Sequence, residues 1–377
     1  MKIISYEAYG GAKTNLHFSK INFGKLNLIV GASATGKTRL LNTIFNGAFM
    51  AVQAQQMFFG SWDYTFEHQG RVYQWKLKTD KGKDDEPRVF EESIVIIDEN
   101  GNDTILVERD LESFVYNGKE LPKLAADKSS IYLLKDEESI NPLYLGFSSI
   151  MMRRFHAGEL ENAASLQVVP QQAIVKIKKT KKLDDLFSSG LQLNPRLYIL
   201  SQYFKDIYER ICHEFKNVFP FVSEIDVRMA EEFGFQFPGL VPVFAMKEKF
   251  VKDTWIPLNE FSSGMQKVLL IITDVFTLPQ NGGIYLIDEY ENSLGLNAIN
   301  FFPSVLLEDN NVNQFIITSH HPYIIGNVPV KNWIILHRKG KEIIVKEGSE
   351  LEKKFSKSKQ QAFIQLINDS FYTEGIE

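Results

Sequence analysis

Gly31-Ala32-Ser33-Ala34-Thr35-Gly36-Lys37-Thr38 satisfies the pattern G-x-x-x-x-G-K-[ST]. Nothing else in the chain constrains its architecture so tightly. The pattern needs a strand that ends in a turn and a helix that starts from it, so that successive backbone N–H groups converge on one anion. Both are supplied. Leu26-Asn27-Leu28-Ile29-Val30 is a β-type run leading into Gly31, and apolar residues then recur at helical spacing from Thr38 to about Gln56, at Leu40, Leu41, Ile44 and Phe45. A random chain of this length shows the pattern on the order of once in a hundred, with glycine near ~7% of residues. The reading is a phosphate site. Gly31, Ser33, Ala34, Thr35 and Gly36 shape the loop, Lys37 reaches the β and γ phosphates, and the Thr38 hydroxyl ligates Mg²⁺.

A second acidic site matches the first. Ile284-Tyr285-Leu286-Ile287 is an apolar strand that ends in Asp288 and Glu289. Ligands of open α/β sheets sit at the carboxyl ends of the strands, so both carboxylates are expected to face the loop. Asp288 suits Mg²⁺, directly or through water. Glu289 is then free to orient and deprotonate an attacking water.

Composition narrows the class further. The chain has 377 residues, 44% hydrophobic and 24% charged, which is ordinary for soluble globular proteins and enough for two to three domains or one elaborated one. A net charge of -5 argues against coating DNA by bulk charge but leaves a local basic patch open. The lone Cys212 can make neither an internal disulfide nor a multi-cysteine zinc site. The expectation is a cytoplasmic protein with no signal peptide and no membrane span.

Along the chain, 2–6 reads as a strand and 63–111 as an antiparallel meander, with turn signals at His68-Gln69-Gly70 and Asp98-Glu99-Asn100-Gly101-Asn102 and a charged loop over 78–88. Residues 143–220 read as mostly helical, with one clear helix over 195–219. Short β runs return at 241–245 and 249–256. A helix over 263–277, a strand over 284–287, another helix and a strand over 315–317 complete an α/β alternation. A charged stretch, Lys353-Lys354-Phe355-Ser356-Lys357, precedes a last helix over 359–367.

Phe261-Ser262-Ser263-Gly264-Met265-Gln266 opens the helix over 263–277, which Ser262 or Ser263 can cap, with Met265, Val268, Leu269, Ile272 and Phe276 as its buried stripe. This serine-glycine helix start, shortly before the acidic strand, resembles the signature motif of ABC-type ATPases. Glu291-Asn292-Ser293-Leu294 resembles their D-loop, and Thr318-Ser319-His320 their switch-histidine loop. Five motifs in this order are specific. The S-S-G-x-Q form and Thr318-Ser319-His320-His321-Pro322 resemble the SMC, RecF and OLD-like group of AAA-type ATPases more than membrane transporters.

The resemblance implies an α/β, P-loop NTPase head of ABC type, with a mixed β-sheet, an antiparallel β meander and an inserted helical lobe. Its parts would be 1–142 and 221–345 for the split ATPase lobe, 143–220 for the helical lobe and 346–377 for a helical tail. ATP and Mg²⁺ are the implied cofactors, with Thr38 and Asp288 on the metal and Glu289 and His320 as catalytic residues. The implied assembly is a homodimer or higher homo-oligomer with ATP sandwiched between subunits. Ser263 and Gly264 of one subunit would cap the γ-phosphate on the other's loop, and Ser262, Gln266 and Asn292 are counted among the nucleotide-binding residues. Two features depart from the group. Leu294 is followed by Gly295-Leu296 rather than His-Pro, and no glutamine stands out as the Q-loop; Gln53, Gln167 and Gln172 stay open.

The interval from Lys37 to Asp288 is too short for an SMC coiled-coil arm, and the stretch after His320 too short for the TOPRIM nuclease of OLD proteins. The chain therefore resembles the stand-alone ATPase subunits of two-gene anti-phage systems such as PARIS and Septu, in which the effector, a nuclease or toxin, is a separate partner. A RecF-like DNA-repair ATPase and an ATP-stabilised scaffold with little turnover are the alternatives, and DNA stays open as a partner. Lys176-Ile177-Lys178-Lys179-Thr180-Lys181-Lys182 reads as a solvated loop before a nucleic-acid contact. Cys212 reads as core filler rather than a nucleophile. His321 is expected to support the turn before Pro322, and His156 and His213 lack metal-ligand spacing.

Overall fold

The computed structural model describes residues 1–10, 15–82, 85–98, 100–155, 157–251, 253–279, 281–292, 294–295, 312–351 and 359–376. The chain forms two compact units. One comprises Met1–Arg153, Asn281–Glu289 and Asn310–Glu377; the other comprises Arg154–Gln280 and Tyr290–Asp309.

The first unit is built on a sheet of 14 strands. Its spatial order is Ile150–Arg153, Ile284–Ile287, Gln314–Thr318, Leu26–Val30, Trp333–Lys339, Glu342–Glu347, His17–Asn22, Lys2–Tyr9, Gly60–His68, Arg71–Lys81, Pro87–Ile97, Thr104–Arg109, Phe114–Tyr116 and Lys119–Glu120. The first five strands are parallel. Leu26–Val30, Ile284–Ile287 and Gln314–Thr318 are buried at every position, as parallel strands covered on both faces must be. The strand that carries Gly31 therefore has Gln314–Thr318 between it and the acidic strand.

Two buried amides lock this order. Gln314 Nε2 donates to Ile3 O and Gly24 O, both at 2.8 Å, while its Oε1 accepts Ile3 N–H at 2.8 Å. Asn27 Nδ2 donates to Gly24 O at 2.9 Å and Phe315 O at 3.1 Å. Gln314 joins three chain segments that are remote in sequence and Asn27 joins two, and leaving such groups unpaired would cost about 1–3 kcal/mol each.

From Lys2–Tyr9 to Lys119–Glu120 the sheet is an antiparallel meander. Here burial alternates, and one face presents Trp62, Tyr64, Phe66, Tyr73, Trp75 and Leu77. That face holds helix Lys37–Val52. Trp62 Nε1 donates to Thr43 O at 3.0 Å and Tyr64 Oη to Ile44 O at 2.7 Å. Phe147, on helix Asn141–Ser148, sits edge-on to Tyr64, Phe66 and Trp75 with centroids 4.9–5.4 Å away. On that same face a buried carboxylate, Glu92, opposite Leu77 in the ladder, accepts from Trp75 Nε1 at 2.8 Å, Ser130 Oγ at 2.8 Å and Arg109 Nη2 at 2.9 Å.

The second unit combines helices with a three-stranded antiparallel sheet, Val222–Met229, Pro242–Glu248 and Ile256–Pro257. Helix Ser263–Thr277 is buried on nearly every side from Met265 to Val275. A buried ion pair, Arg196 Nη1 to Asp274 Oδ1 at 2.7 Å, joins it to helix Leu193–Tyr203. Phe215 stacks on Phe261, the residue just before the helix start, at 6.0 Å.

Several expectations are corrected. The stretch 195–219 is two helices, Leu193–Tyr203 and Lys205–Val218, broken at Phe204 with φ -137° and ψ 56°; the apolar stripe runs through the break, so periodicity does not reveal it. The mostly helical region hides the edge strand Ile150–Arg153, four residues long and too short for a period-2 signal. The meander strands extend to Lys81 and resume at Pro87, shrinking the loop expected over 78–88. Among the described residues of 249–256, only Ile256, the start of Ile256–Pro257, is strand. The basic run is largely helical, within Gln171–Thr180, and Lys176 pairs with Asp185 at 2.8 Å. Apart from these corrections, the compact units divide in sequence at 153/154, helix Ser263–Thr277 falls in the second unit, and the described residues after 345 belong to the first. The helix expected between 288 and 315, and Lys353 to Lys357, fall outside the described residues.

Candidate nucleotide-binding site

The loop is built by backbone geometry that its residues permit. Gly36 has φ 105°, and a Cβ there would stand 2.6 Å from Ile343 Cδ1. Ala34 carries φ 65° without being glycine, a conformation that costs roughly 1–2 kcal/mol. Thr35 Oγ1 donates to Ala32 O at 2.9 Å, closing the turn. Lys37, 6% exposed, folds back so that Nζ donates to Gly31 O at 2.7 Å and Ala32 O at 2.9 Å. Ser33 and Ala34 are exposed at the tip.

This loop fits a phosphate. Helix Lys37–Val52 starts without a side-chain cap and without an acidic residue in its first turn. Helix Ser263–Thr277, by contrast, is capped: Ser262 Oγ accepts Met265 N–H at 3.3 Å. An uncapped start carrying the positive end of the helix dipole is where an anion is held.

Two strand ends and a helix start converge on one carboxylate. Asp288 is 5% exposed, and its Oδ1 accepts from Thr38 Oγ1 at 3.1 Å and Thr318 Oγ1 at 2.6 Å. Thr318 Oγ1 in turn accepts Glu289 N–H at 2.8 Å. Glu289 sits at φ 49°, so the backbone reverses hand directly after Asp288. Its carboxylate lies 3.7 Å from His320 Nε2, and the two side chains are 43% and 45% exposed. Thr38 and Asp288 offer a hydroxyl and a carboxylate side by side, hard oxygen donors of the kind Mg²⁺ takes alongside phosphate and water. His321 caps helix Pro322–Asn327, accepting Tyr323 N–H on Nδ1 at 3.3 Å.

A cavity of about 730 Å³ opens beside the start of helix Lys37–Val52. Its walls include Tyr9, Phe18 and Trp62, with Arg39 and Asn42 from the helix. Phe18 also packs beside Gly36. None of these five residues stands out in the sequence; Arg39 and Asn42 are legible only as polar positions on the first turns after Thr38.

The other expected residues lie in the second unit. Ser262 and Ser263 are exposed at their helix start, and Gln266 Nε2 donates to Leu258 O at 3.1 Å. Lys267, which sequence reasoning passes over, is fully buried one position further on. Its Nζ donates to Tyr290 O and Asn292 O, both at 2.7 Å, and lies 4.2 Å from the centre of the Phe155 ring. It thereby fastens the helix to the Glu291-Asn292 segment. Ser293 lies outside the described residues. Gln53 is exposed just after helix Lys37–Val52, Gln172 is exposed and Gln167 half-buried. Burial lifts the Cys212 thiol to about 11, which fits filler rather than a nucleophile.

Structural comparison finds SMC heads. A crystal structure of the SmcHead bound to the C-winged helix domain of ScpA matches with a TM-score of 0.52 and 13% identity, over 94% of this chain and 100% of that one. An Smc head domain with an extended coiled coil, bound to the C-terminal domain of ScpA and derived from Pyrococcus furiosus, has a TM-score of 0.47 at 12% identity, over 94% and 98%. The SMC head domain from Thermotoga maritima has 0.41 at 13%, over 92% and 99%. No curated protein matches. The first match places the fold with the ABC-type P-loop heads of SMC proteins. The family model described as "AAA domain, putative AbiEii toxin, Type IV TA system" matches residues 26–326, and the chain belongs to that family of AAA-type ATPases.

Proposed function

We propose that the protein binds Mg·ATP on the loop 31–38 and hydrolyses it, dimerising on the bound nucleotide to regulate a separate effector in anti-phage defence. The observation that carries the chemistry is the shared Asp288 Oδ1. One oxygen holds the Thr38 hydroxyl at the end of the phosphate loop and the Thr318 hydroxyl at the end of the neighbouring strand. Glu289 and His320 project beside it. In this reading Lys37 leaves the carbonyls of Gly31 and Ala32 for the phosphates. Thr38 and Asp288 hold the metal, Glu289 takes a proton from the attacking water, and His320 contacts the γ-phosphate. The cavity walled by Tyr9, Phe18 and Trp62 would receive the nucleoside, with Arg39 and Asn42 at its polar side.

Dimerisation is supported by the SMC-head fold and by the exposed start of helix Ser263–Thr277, whose Ser263 and Gly264 would cap the γ-phosphate of a second copy. The effector role is supported by the family description, which names a toxin and a type IV toxin–antitoxin system. It is also in keeping with the ScpA-bound SmcHead, an instance of this fold that engages another protein. The chemistry is tested by two substitutions. Lys37→Ala should abolish Mg·ATP binding measured by calorimetry. Glu289→Gln should keep binding while turnover falls about 100-fold or more. Undiminished turnover in Glu289→Gln would remove the glutamate from its role as base.

A further inference from the structure

Residues Ser370–Ile376 lie against the outside of the phosphate loop. A Cβ built on Gly375 would stand 2.5 Å from Ala32 Cβ and 3.6 Å from Thr35 Cγ2. Gly375 is buried at φ 33°. The segment is anchored independently of the loop. Asp369 caps the short helix Ser370–Thr373, its Oδ1 accepting Phe371 N–H at 3.0 Å. The Phe371 ring stacks on buried His337 with centroids 4.8 Å apart and planes at 29°, its carbonyl lies 3.0 Å from His337 Nδ1, and Lys346 Nζ stands 3.9 Å from its ring centre. Arg338 N–H donates to Gly375 O at 2.9 Å, and Arg338 bridges Ile376 in parallel. Strand Trp333–Lys339, which carries His337 and Arg338, is one of the two hydrogen-bonded neighbours of the loop's own strand.

Ala32 is the hub of the loop, because its carbonyl accepts from both Lys37 Nζ and Thr35 Oγ1. The contact with Gly375 covers the other side of that residue. We propose that the segment 370–376 is a brace for the phosphate loop, with Gly375 as a positioning residue that acts through Ala32. Only a residue without a side chain lets the brace approach this closely. If the loop binds nucleotide as proposed above, the brace holds it in its binding shape and raises affinity. By linkage, nucleotide then tightens the brace by the same factor.

The test measures amide exchange and nucleotide affinity in the full chain, comparing the parent with Gly375→Ala and Phe371→Ala. The first displaces the contact directly; the second removes the anchor and leaves the glycine in place. Without nucleotide, both variants should exchange faster at 32–36, while strand Leu26–Val30 stays protected. Affinity for a non-hydrolysable ATP analogue with Mg²⁺ should weaken about fivefold or more in both. In the parent, the analogue should slow exchange at 370–376. Unchanged exchange at 32–36 in both variants overturns the brace, and faster exchange with unchanged affinity overturns its coupling to nucleotide. A parent protein that binds no nucleotide, with variants that still loosen 32–36, leaves the brace standing and sinks the proposed function instead.

Discussion

Thr318 does more at the site than its place two residues before His320 advertises. Its one hydroxyl donates to Asp288 at 2.6 Å and accepts the Glu289 N–H at 2.8 Å, so it fixes the Asp288 carboxylate and the backbone that carries Glu289. Thr318→Val keeps the shape and removes both bonds. It should lower kcat about tenfold or more while leaving nucleotide affinity within a few-fold, since misplacing a base costs turnover before binding. An equal loss in both would mean that Thr318 serves only the fold. The loop motif, the acidic pair and the capping serine were all legible, because each is local: a spacing, a strand end, a helix start. Thr318's double role was not, since it exists only once strands 26–30, 284–287 and 314–318 lie side by side. His68 makes the same point for stability. It is buried beside Gly146, and neither ring nitrogen has a hydrogen-bond partner. Burial, with the Met1 ammonium nearby, lowers its pKa from 6.5 to about 4. Between those values the unfolded chain binds a proton that the folded one refuses. Stability should therefore fall as pH drops from about 6.5 towards 4, and His68→Phe should flatten that limb in urea titrations. An unchanged limb would put the acid sensitivity elsewhere.

Helix Lys37–Val52 and helix Ser263–Thr277 are each pinned by a different device. The first is held by two aromatic donors, Trp62 and Tyr64, that reach into its carbonyls from the meander. The second is held by charge: the buried Arg196–Asp274 pair on one flank and Lys267 on the backbone of Tyr290 and Asn292. Both ends of each helix were readable to within a few residues, because apolar spacing and caps mark them. The pins were not. A tryptophan in an alternating strand reads as core whether or not it also donates a hydrogen bond, and Lys267 reads as a surface residue until the helix proves buried all round. A buried pair is costly to break and cheap to replace as a whole. Arg196→Met or Asp274→Leu alone should each destabilise by about 3–5 kcal/mol, whereas the double replacement should recover most of the loss in a double-mutant cycle read by urea unfolding. Additive losses would show that the two side chains are held by separate partners.

At the scale of the whole molecule, chain order misleads and strand order explains. The phosphate loop lies near one end of the sequence and the acidic pair near the other, yet one strand, Gln314–Thr318, separates theirs in the sheet. Motif order was enough to expect that closure. It could not show that the second unit would take residues from Arg154 to Gln280, because a unit boundary is set by which apolar faces find each other and leaves no local mark. The same closure gives the proposed assembly its logic. Ser263 and Gly264 begin a helix already capped by Ser262, and both serines remain exposed. In that assembly the exposed Ser263 hydroxyl, which the Ser262 cap does not use, would meet a phosphate carried by another copy. An ATP-held dimer is a linkage system in which nucleotide that binds the dimer better than the monomer stabilises it by mass action. Glu289→Gln should therefore accumulate dimer in Mg·ATP and revert to monomer in Mg·ADP, read as mass by light scattering. Adding Ser263→Arg to that background should leave nucleotide binding intact and keep the protein monomeric, since the new side chain fills the approach to the exposed helix start. A Ser263→Arg protein that dimerises as well as its parent would mean that this helix start does not face a second nucleotide.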